Sequence, residues 1–137
     1  MVNAVYPKYK EAILSGSANS ALSGSGATGL YAALVDTGAY AYSSAHEFYG
    51  SVSGVVADNV EVGNVTLTNG LIDGDNLTWL SATGNQSEAI VLYRKNAGAN
   101  TTWRLVAYID TGVTNLPVTP NGGDISIVWP AAGIVRL

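Results

Sequence analysis

The sequence predicts an all-β domain, mainly an antiparallel sandwich or barrel with a jelly-roll-like arrangement as one form, carrying one short N-terminal helix. Three observations carry that expectation. Short apolar runs rich in Val, Ile, Leu and Tyr recur along the chain. Most of them end at a strong turn signal, such as Asp36-Thr37-Gly38, Asn69-Gly70, Asp73-Gly74, Gly84-Asn85 or Asp110-Thr111-Gly112. The composition, 47% hydrophobic and 12% charged with 16 glycines, is poor in helix formers and rich in strand and turn residues. At 137 residues the chain reads as one domain, able to bury about two thirds of its unfolded surface.

The elements follow in order. Pro7 sits in the first turn of a predicted helix that places Tyr9, Ala12 and Ile13 on one face and stops at Ser15-Gly16. So short a helix is unstable alone in water and must dock. Residues 15–29 are rich in Ser, Gly and Ala, a flexible loop or an extended arm. Residues 1–27 therefore read as a helix and Ser/Gly-rich arm, and residues 28–137 as the β-rich core domain. Residues 30–36 form a strand that runs into the first Asp-Thr-Gly. Tyr40 and Tyr42 follow, then a helical turn around residues 44–49. Residues 52–57 and 60–68 are strand-like, the latter alternating Val62, Asn64 and Thr66 against Gly63, Val65 and Leu67. Residues 77–80 give a short strand, and 89–94 an apolar run suited to burial on both faces. Residues 101–110 alternate and contain Trp103 and Tyr108. Pro117, Pro120 and Asn121-Gly122-Gly123 make a long turn of residues 112–123, and strands at 125–129 and 134–137 close the chain.

Charge and composition narrow the partners. A net charge of −4 and a pI near 4.6 argue against duplex DNA and anionic membranes. The cations Lys8, Lys10, Arg94, Lys95, Arg104 and Arg136 form no basic stripe. Without cysteine there is no disulfide framework and no thiolate metal site. The first ten residues lack the basic start and apolar core of a signal peptide, and no apolar run is long enough to span a bilayer. A soluble protein made in the cytosol is expected. A surface of hydroxyls and amides suits a protein packed against neighbours, because Lys and Glu are costly to desolvate.

The repeated Asp-Thr-Gly is the one motif with a catalytic precedent. Aspartic peptidases bring two such aspartates together so that they share a proton and activate water, and Ala33-Leu34-Val35-Asp36-Thr37-Gly38-Ala39 resembles the retroviral-type motif. The chain is short for two lobes with flap hairpins. A one-triplet-per-subunit dimer would need a later apolar-apolar-Gly segment before a helix, which is missing, and would leave the second triplet without a role. Turn formation is the preferred reading, with the aspartates capping the backbone and glycine supplying a positive φ. His46, beside Glu47, has no nucleophile elbow or cysteine to work with. Asp73 and Asp75 lack the twelve-residue frame and closing glutamate of a calcium loop. No catalytic, cofactor or metal residue is assigned, and the protein is not expected to be an enzyme. Tyr40, Tyr42, Tyr49, Trp79 and Trp103 could form an aromatic platform for sugars, with core packing the preferred role.

Three segments carry a resemblance: Val5-Tyr6-Pro7-Lys8-Tyr9-Lys10-Glu11-Ala12-Ile13-Leu14, residues 33–49 from Ala33-Leu34-Val35 to Phe48-Tyr49, and residues 105–125 from Leu105-Val106-Ala107 to Asp124-Ile125. Together they resemble a group of small proteins encoded by tailed bacteriophages, over nearly the full length. The resemblance implies a virion structural role and carries no catalytic motif with it. The expected function is that of a capsid decoration, or cement, protein on the outside of the head, made in the host bacterial cytoplasm. Its expected partners are the major capsid protein and neighbouring copies of itself, as a trimer or dimer, with no nucleic acid, membrane or cofactor. The candidate interaction segment is Tyr6, Pro7, Tyr9, Ile13, Leu14 and Leu22, reaching onto a neighbouring subunit, so that removing residues 1–27 would weaken attachment without unfolding the core. A tail or head-fibre component is the alternative, followed by a glycan-binding module and the aspartic peptidase.

Overall fold

A computed structural model describes residues 3–137. The strands in chain order are β1 (Ala4–Val5), β2 (Leu30–Val35), β3 (Val55–Glu61), β4 (Leu71–Ile72), β5 (Leu77–Trp79), β6 (Ala89–Arg94), β7 (Arg104–Ile109), β8 (Ile125–Ile127) and β9 (Val135–Arg136). The helix α1 is Pro7–Leu14. A central sheet has the order β1-β7-β6-β2-β3, and two ribbons pair β4 with β9 and β5 with β8. Every named pairing is antiparallel. The fold is thus mainly antiparallel β with one short helix near the N-terminus. The sheets do not close into a barrel, because β1 and β3 remain as edges. β1 is only two residues long, which limits the row of unpaired backbone groups it presents.

The middle strands are the buried ones. β6 is buried along its whole length, and β2 and β7 nearly so. A strand buried at successive positions must be covered on both faces, which is why these runs read as continuous rather than alternating. Register assigns Ala33, Val35, Ala89, Val91 and Tyr108 to one face, and Ala32, Leu34, Ile90, Leu92, Ala107 and Ile109 to the other. The segment after β2 folds back over the first of these faces. Tyr42 lies 5.1 Å from Tyr6 and 5.6 Å from Tyr108 between ring centroids, and Tyr49 stacks on Tyr93 at 4.0 Å. The ribbons bring Ile72, Leu77, Trp79, Ile125, Ile127 and Ile134 into the same core.

Residues 3–22 are built into that core rather than extended from it. β1 pairs with β7, and Tyr6 is fully buried with its N–H bonded to the Val106 carbonyl at 3.0 Å. Helix α1 begins with Pro7 at its first turn and ends where Gly16 takes a φ of +65°, with the Ser15 hydroxyl donating to the Glu11 carbonyl. The Ser/Gly tract is pinned by two arginines that face each other across β6 and β7. Arg94 Nε donates to the Ala21 carbonyl at 3.0 Å, and Arg104 Nε donates to the Ala18 carbonyl at 2.9 Å. Glu47, 3.4 Å from Arg104, offsets part of the repulsion between them. This burial argues against the expectation that residues 1–27 could be removed without unfolding the core. Val5, Tyr6, Tyr9 and Leu22 are core residues, and fully burying such side chains contributes roughly 1.5–3 kcal/mol each.

Other local expectations change for identifiable reasons. Residues 52–57 and 60–68 give one strand, β3, instead of two. Asn59 takes a φ of 63°, and β3 pairs with β2 through two register shifts. After Val62, Asn64 at φ 50° turns the chain away. The helical turn around residues 44–49 is replaced by a turn at Ser43–His46, where the His46 N–H reaches the Ser43 carbonyl, and by a 3₁₀ turn at Tyr49–Ser51. Among the described residues, no helix is long and apolar enough to cross a membrane.

Candidate functional site

Both Asp-Thr-Gly triplets lie at one end of the central sheet. β2 and β7 are each antiparallel to β6 and so parallel to one another, and both run out where β6 begins. One whole strand separates them, placing the backbones of Asp36 and Asp110 about 10 Å apart, two inter-strand spacings. Strand alternation also sends them to opposite faces. Asp110 falls in register with Ala89, which pairs with Val35, the residue before Asp36.

Each triplet is closed by its own hydrogen bonds. Asp36 Oδ1 accepts the Gly38 N–H at 2.8 Å, and its Oδ2 accepts from the Asn85 amide at 3.1 Å. The Asp36 N–H is taken by the Gly54 carbonyl. The second triplet is closed from the far end of the chain. Asn3 Oδ1 accepts the N–H groups of Asp110 at 2.8 Å and Thr111 at 3.0 Å, and its amide donates to the Thr111 carbonyl.

The same sheet end carries an open cleft of about 440 Å³, walled by Tyr40, Tyr42 and Tyr108, with Glu88, Asp110 and Thr37 supplying its polar lining. Its positions are set by the fold. Tyr108 is the penultimate residue of β7, Asp110 follows the strand, and Glu88 precedes β6, its N–H held by the Val35 carbonyl. Tyr40 is locked from behind. Its hydroxyl lies 2.8 Å from the Tyr6 hydroxyl and 3.0 Å from His46 Nδ1. Burial pushes the Tyr6 phenol well above its usual range, helped by the Tyr40 hydroxyl. Burial also raises Tyr108, and the Asp110 carboxyl beside it adds to the shift. These phenols stay protonated at neutral pH. Glu88 Oε2 is enclosed by protein and has no hydrogen-bond partner among the described residues.

The sequence-derived candidates are distributed as follows. Tyr6, Tyr9 and Leu22 of the interaction segment are buried inside this chain and unavailable to a partner, while Pro7, Ile13 and Leu14 are exposed. Tyr40 and Tyr42 line the acidic cleft. Tyr49 and Trp103 stack on each other and on Tyr93, away from the cleft lining, and Trp79 is buried in β5, so the five aromatics form no common platform. His46 bonds Tyr40. Asp73 Oδ1 accepts the Gly74 N–H and Asp75 Oδ2 accepts from Asn64, both as turn contacts. Among the described residues no group of His, Asp and Glu side chains is placed to hold a metal ion. Glu88 and Asn3 are not among the residues that the sequence singles out. Glu88 could have been found from its place immediately before one apolar run, with Asp110 immediately after the run that pairs with it. Asn3 carried no local signal. In comparison with known proteins, no family model matches this chain and no curated protein matches it.

Proposed function

We propose that the protein is a structural component of a tailed-phage virion, a capsid decoration protein that binds the outer surface of the head and braces contacts between major capsid subunits. Support comes first from the segments over which the chain resembles small phage proteins. The structural observation that carries the reading is an apolar strip on an otherwise charge-poor acidic surface. Leu14 on helix α1 is 88% exposed, and Ile13, Leu67 and Leu137 line an apolar groove of about 240 Å³ together with the buried Tyr9, Leu22 and Ile72. Apolar side chains gathered in this way on a small domain mark a contact surface. Its occupant in this reading is the major capsid protein, with neighbouring copies of this chain completing a trimer or dimer. Repetition over a symmetric shell turns modest individual contacts into net reinforcement.

Quantitative mass spectrometry of purified virions tests the reading. A copy number in simple ratio to the major capsid protein supports decoration. A few dozen copies or fewer would move the protein to the tail or a head fibre, and absence from the particle would defeat the virion reading. In the same system, Leu14→Asp should release the protein from the shell while its far-UV circular dichroism stays unchanged.

A further inference from the structure

Most of the cations of this chain are spent within it. Lys8 pairs with Glu11 at 3.1 Å, and Arg104 with Glu47 at 3.4 Å. Arg94 is buried, its Nε donating to the Ala21 carbonyl. The Lys95 ammonium lies 4.6 Å from the ring centroid of Tyr31 and 4.9 Å from that of Trp103. Lys10 and Arg136 differ from these four. Both are exposed, and among the described residues neither has a carboxylate or an aromatic ring as partner.

Both flank the apolar groove. Residues three and four apart are neighbours on a helix surface, so the order around this side of α1 is Tyr9, Ile13, Lys10, Leu14. Lys10 thus stands between Ile13, which lines the groove, and the exposed Leu14. Arg136 precedes the lining residue Leu137. Its Nη1 donates at 2.8 Å to the Asn69 carbonyl, in the turn between the lining residues Leu67 and Gly70. The groove therefore has one uncommitted positive charge on its helix side and another on its β9 side.

We propose that this groove binds a partner segment in which aliphatic side chains are flanked by carboxylates, the aliphatic groups filling the groove and the carboxylates meeting Lys10 and Arg136. The lining selects the aliphatic part, since it is built from Ile13, Leu22, Leu67, Ile72 and Leu137. The two cations select the acidic part and oppose a basic one. Their effect is local, because the chain as a whole carries a net charge of −4 and repels an acidic partner elsewhere. Charge of this kind fixes where a segment lands more than how tightly it holds. The inference rests on the virion reading for the owner of the segment, the major capsid protein, and on the groove alone for its chemistry.

The full chain, labelled with ¹⁵N, is titrated with acetyl-Asp-Leu-Leu-Glu-amide, the neutral acetyl-Asn-Leu-Leu-Gln-amide, the basic acetyl-Lys-Leu-Leu-Lys-amide and sodium decanoate, following backbone amide shifts. The expected result is saturable shifts at Ile13, Leu22, Gly70 and Leu137, in roughly the millimolar range. The acidic peptide should bind about three- to tenfold more tightly than the neutral one at low salt and lose that advantage at about 1 M salt. The basic peptide should bind least. Lys10→Glu combined with Arg136→Glu should reverse the order of the acidic and basic peptides. Lys10→Gln, which leaves the Arg136 contact with Asn69 in place, should reduce the acidic preference and serves should the double variant disturb the fold. No saturable shift at these amides, equal affinity for the acidic and neutral peptides at low salt, or an unchanged preference in the folded variants would overturn the proposal. Decanoate binding more tightly than the acidic peptide would assign the groove to a free amphiphile and overturn it as well. Virion copy number is a separate readout. Copies in capsid ratio without an acidic preference would overturn this inference alone, and an acidic preference in a protein absent from the particle would defeat the virion reading alone.

Discussion

The two Asp-Thr-Gly triplets terminate strands at the same end of one sheet, yet the chain closes them by different means. The first is self-contained. Asp36 caps Gly38, two residues on, and Asn85 and Gly54 add support from neighbouring loops. The second relies on Asn3, whose single side chain bonds both Asp110 and Thr111. Their glycines differ too. Gly112 sits at φ +76°, in the left-handed region, whereas Gly38 does not adopt a positive φ. Identical triplets thus make unlike turns, and what they share is an aspartate following an apolar strand. The comparison teaches that a three-residue motif specifies where a strand stops and leaves the manner of stopping to its surroundings.

The comparison can be pressed hardest by removing what the second turn depends on. Deleting residues 1–27 takes away Asn3 together with Val5, Tyr6, Tyr9 and Leu22. At roughly 1.5–3 kcal/mol for each buried side chain, the loss is comparable to the whole stability of a typical domain, about 5–15 kcal/mol. We expect no cooperative thermal transition in the truncated chain, and a sharp one would show that the N-terminal segment is dispensable. Asn3→Ala should cost about 1–3 kcal/mol by leaving the amides of Asp110 and Thr111 without their acceptor. Hydrogen exchange should accelerate at those two amides and stay unchanged at Gly38.

Gly112→Ala should cost about 1–2 kcal/mol, because an L side chain is strained at that φ. Gly38→Ala should cost less, since its Cβ would meet only the Asp36 carboxylate oxygen at 3.0 Å. Equal midpoint shifts for the two in urea would erase the distinction. The smallest effect is expected from Asn85→Ala, which removes one exposed side-chain bond to Asp36 and should change stability by about 0.5 kcal/mol or less. A loss above about 1.5 kcal/mol would mean that the first turn is not self-contained.

These contrasts also mark what could be read from the sequence. β2, β6 and β7 were legible because each is an apolar run bounded by turn or polar residues, a local signal that tertiary structure had no reason to override. The helix was legible from Pro7 and the spacing of Tyr9 and Ala12. β1 and β4 were not, since two residues have no periodicity and exist as strands only through their partners. The Ser/Gly tract looked detachable because its anchors, Arg94 and Arg104, lie far along the chain and bond backbone carbonyls that any residue could offer. Of the cleft, Tyr40 and Tyr42 were visible as aromatics. Their company with Glu88 and Asp110 depended on the strand order, which short-range pattern does not reveal.

The Asn3 clamp bears on when this protein can become itself. Asn3 and Asp110 are 107 positions apart. Closing a loop of that length carries an entropic cost of about 4 kcal/mol beyond a constant, so the contact gains little until the rest of the sheet holds its ends together. β2, β6 and β7 pair with one another without it, so the clamp is expected to close after they assemble. Asn3→Ala should accordingly speed unfolding while leaving the refolding rate nearly unchanged in stopped-flow measurements, as expected for a contact made after the rate-limiting step.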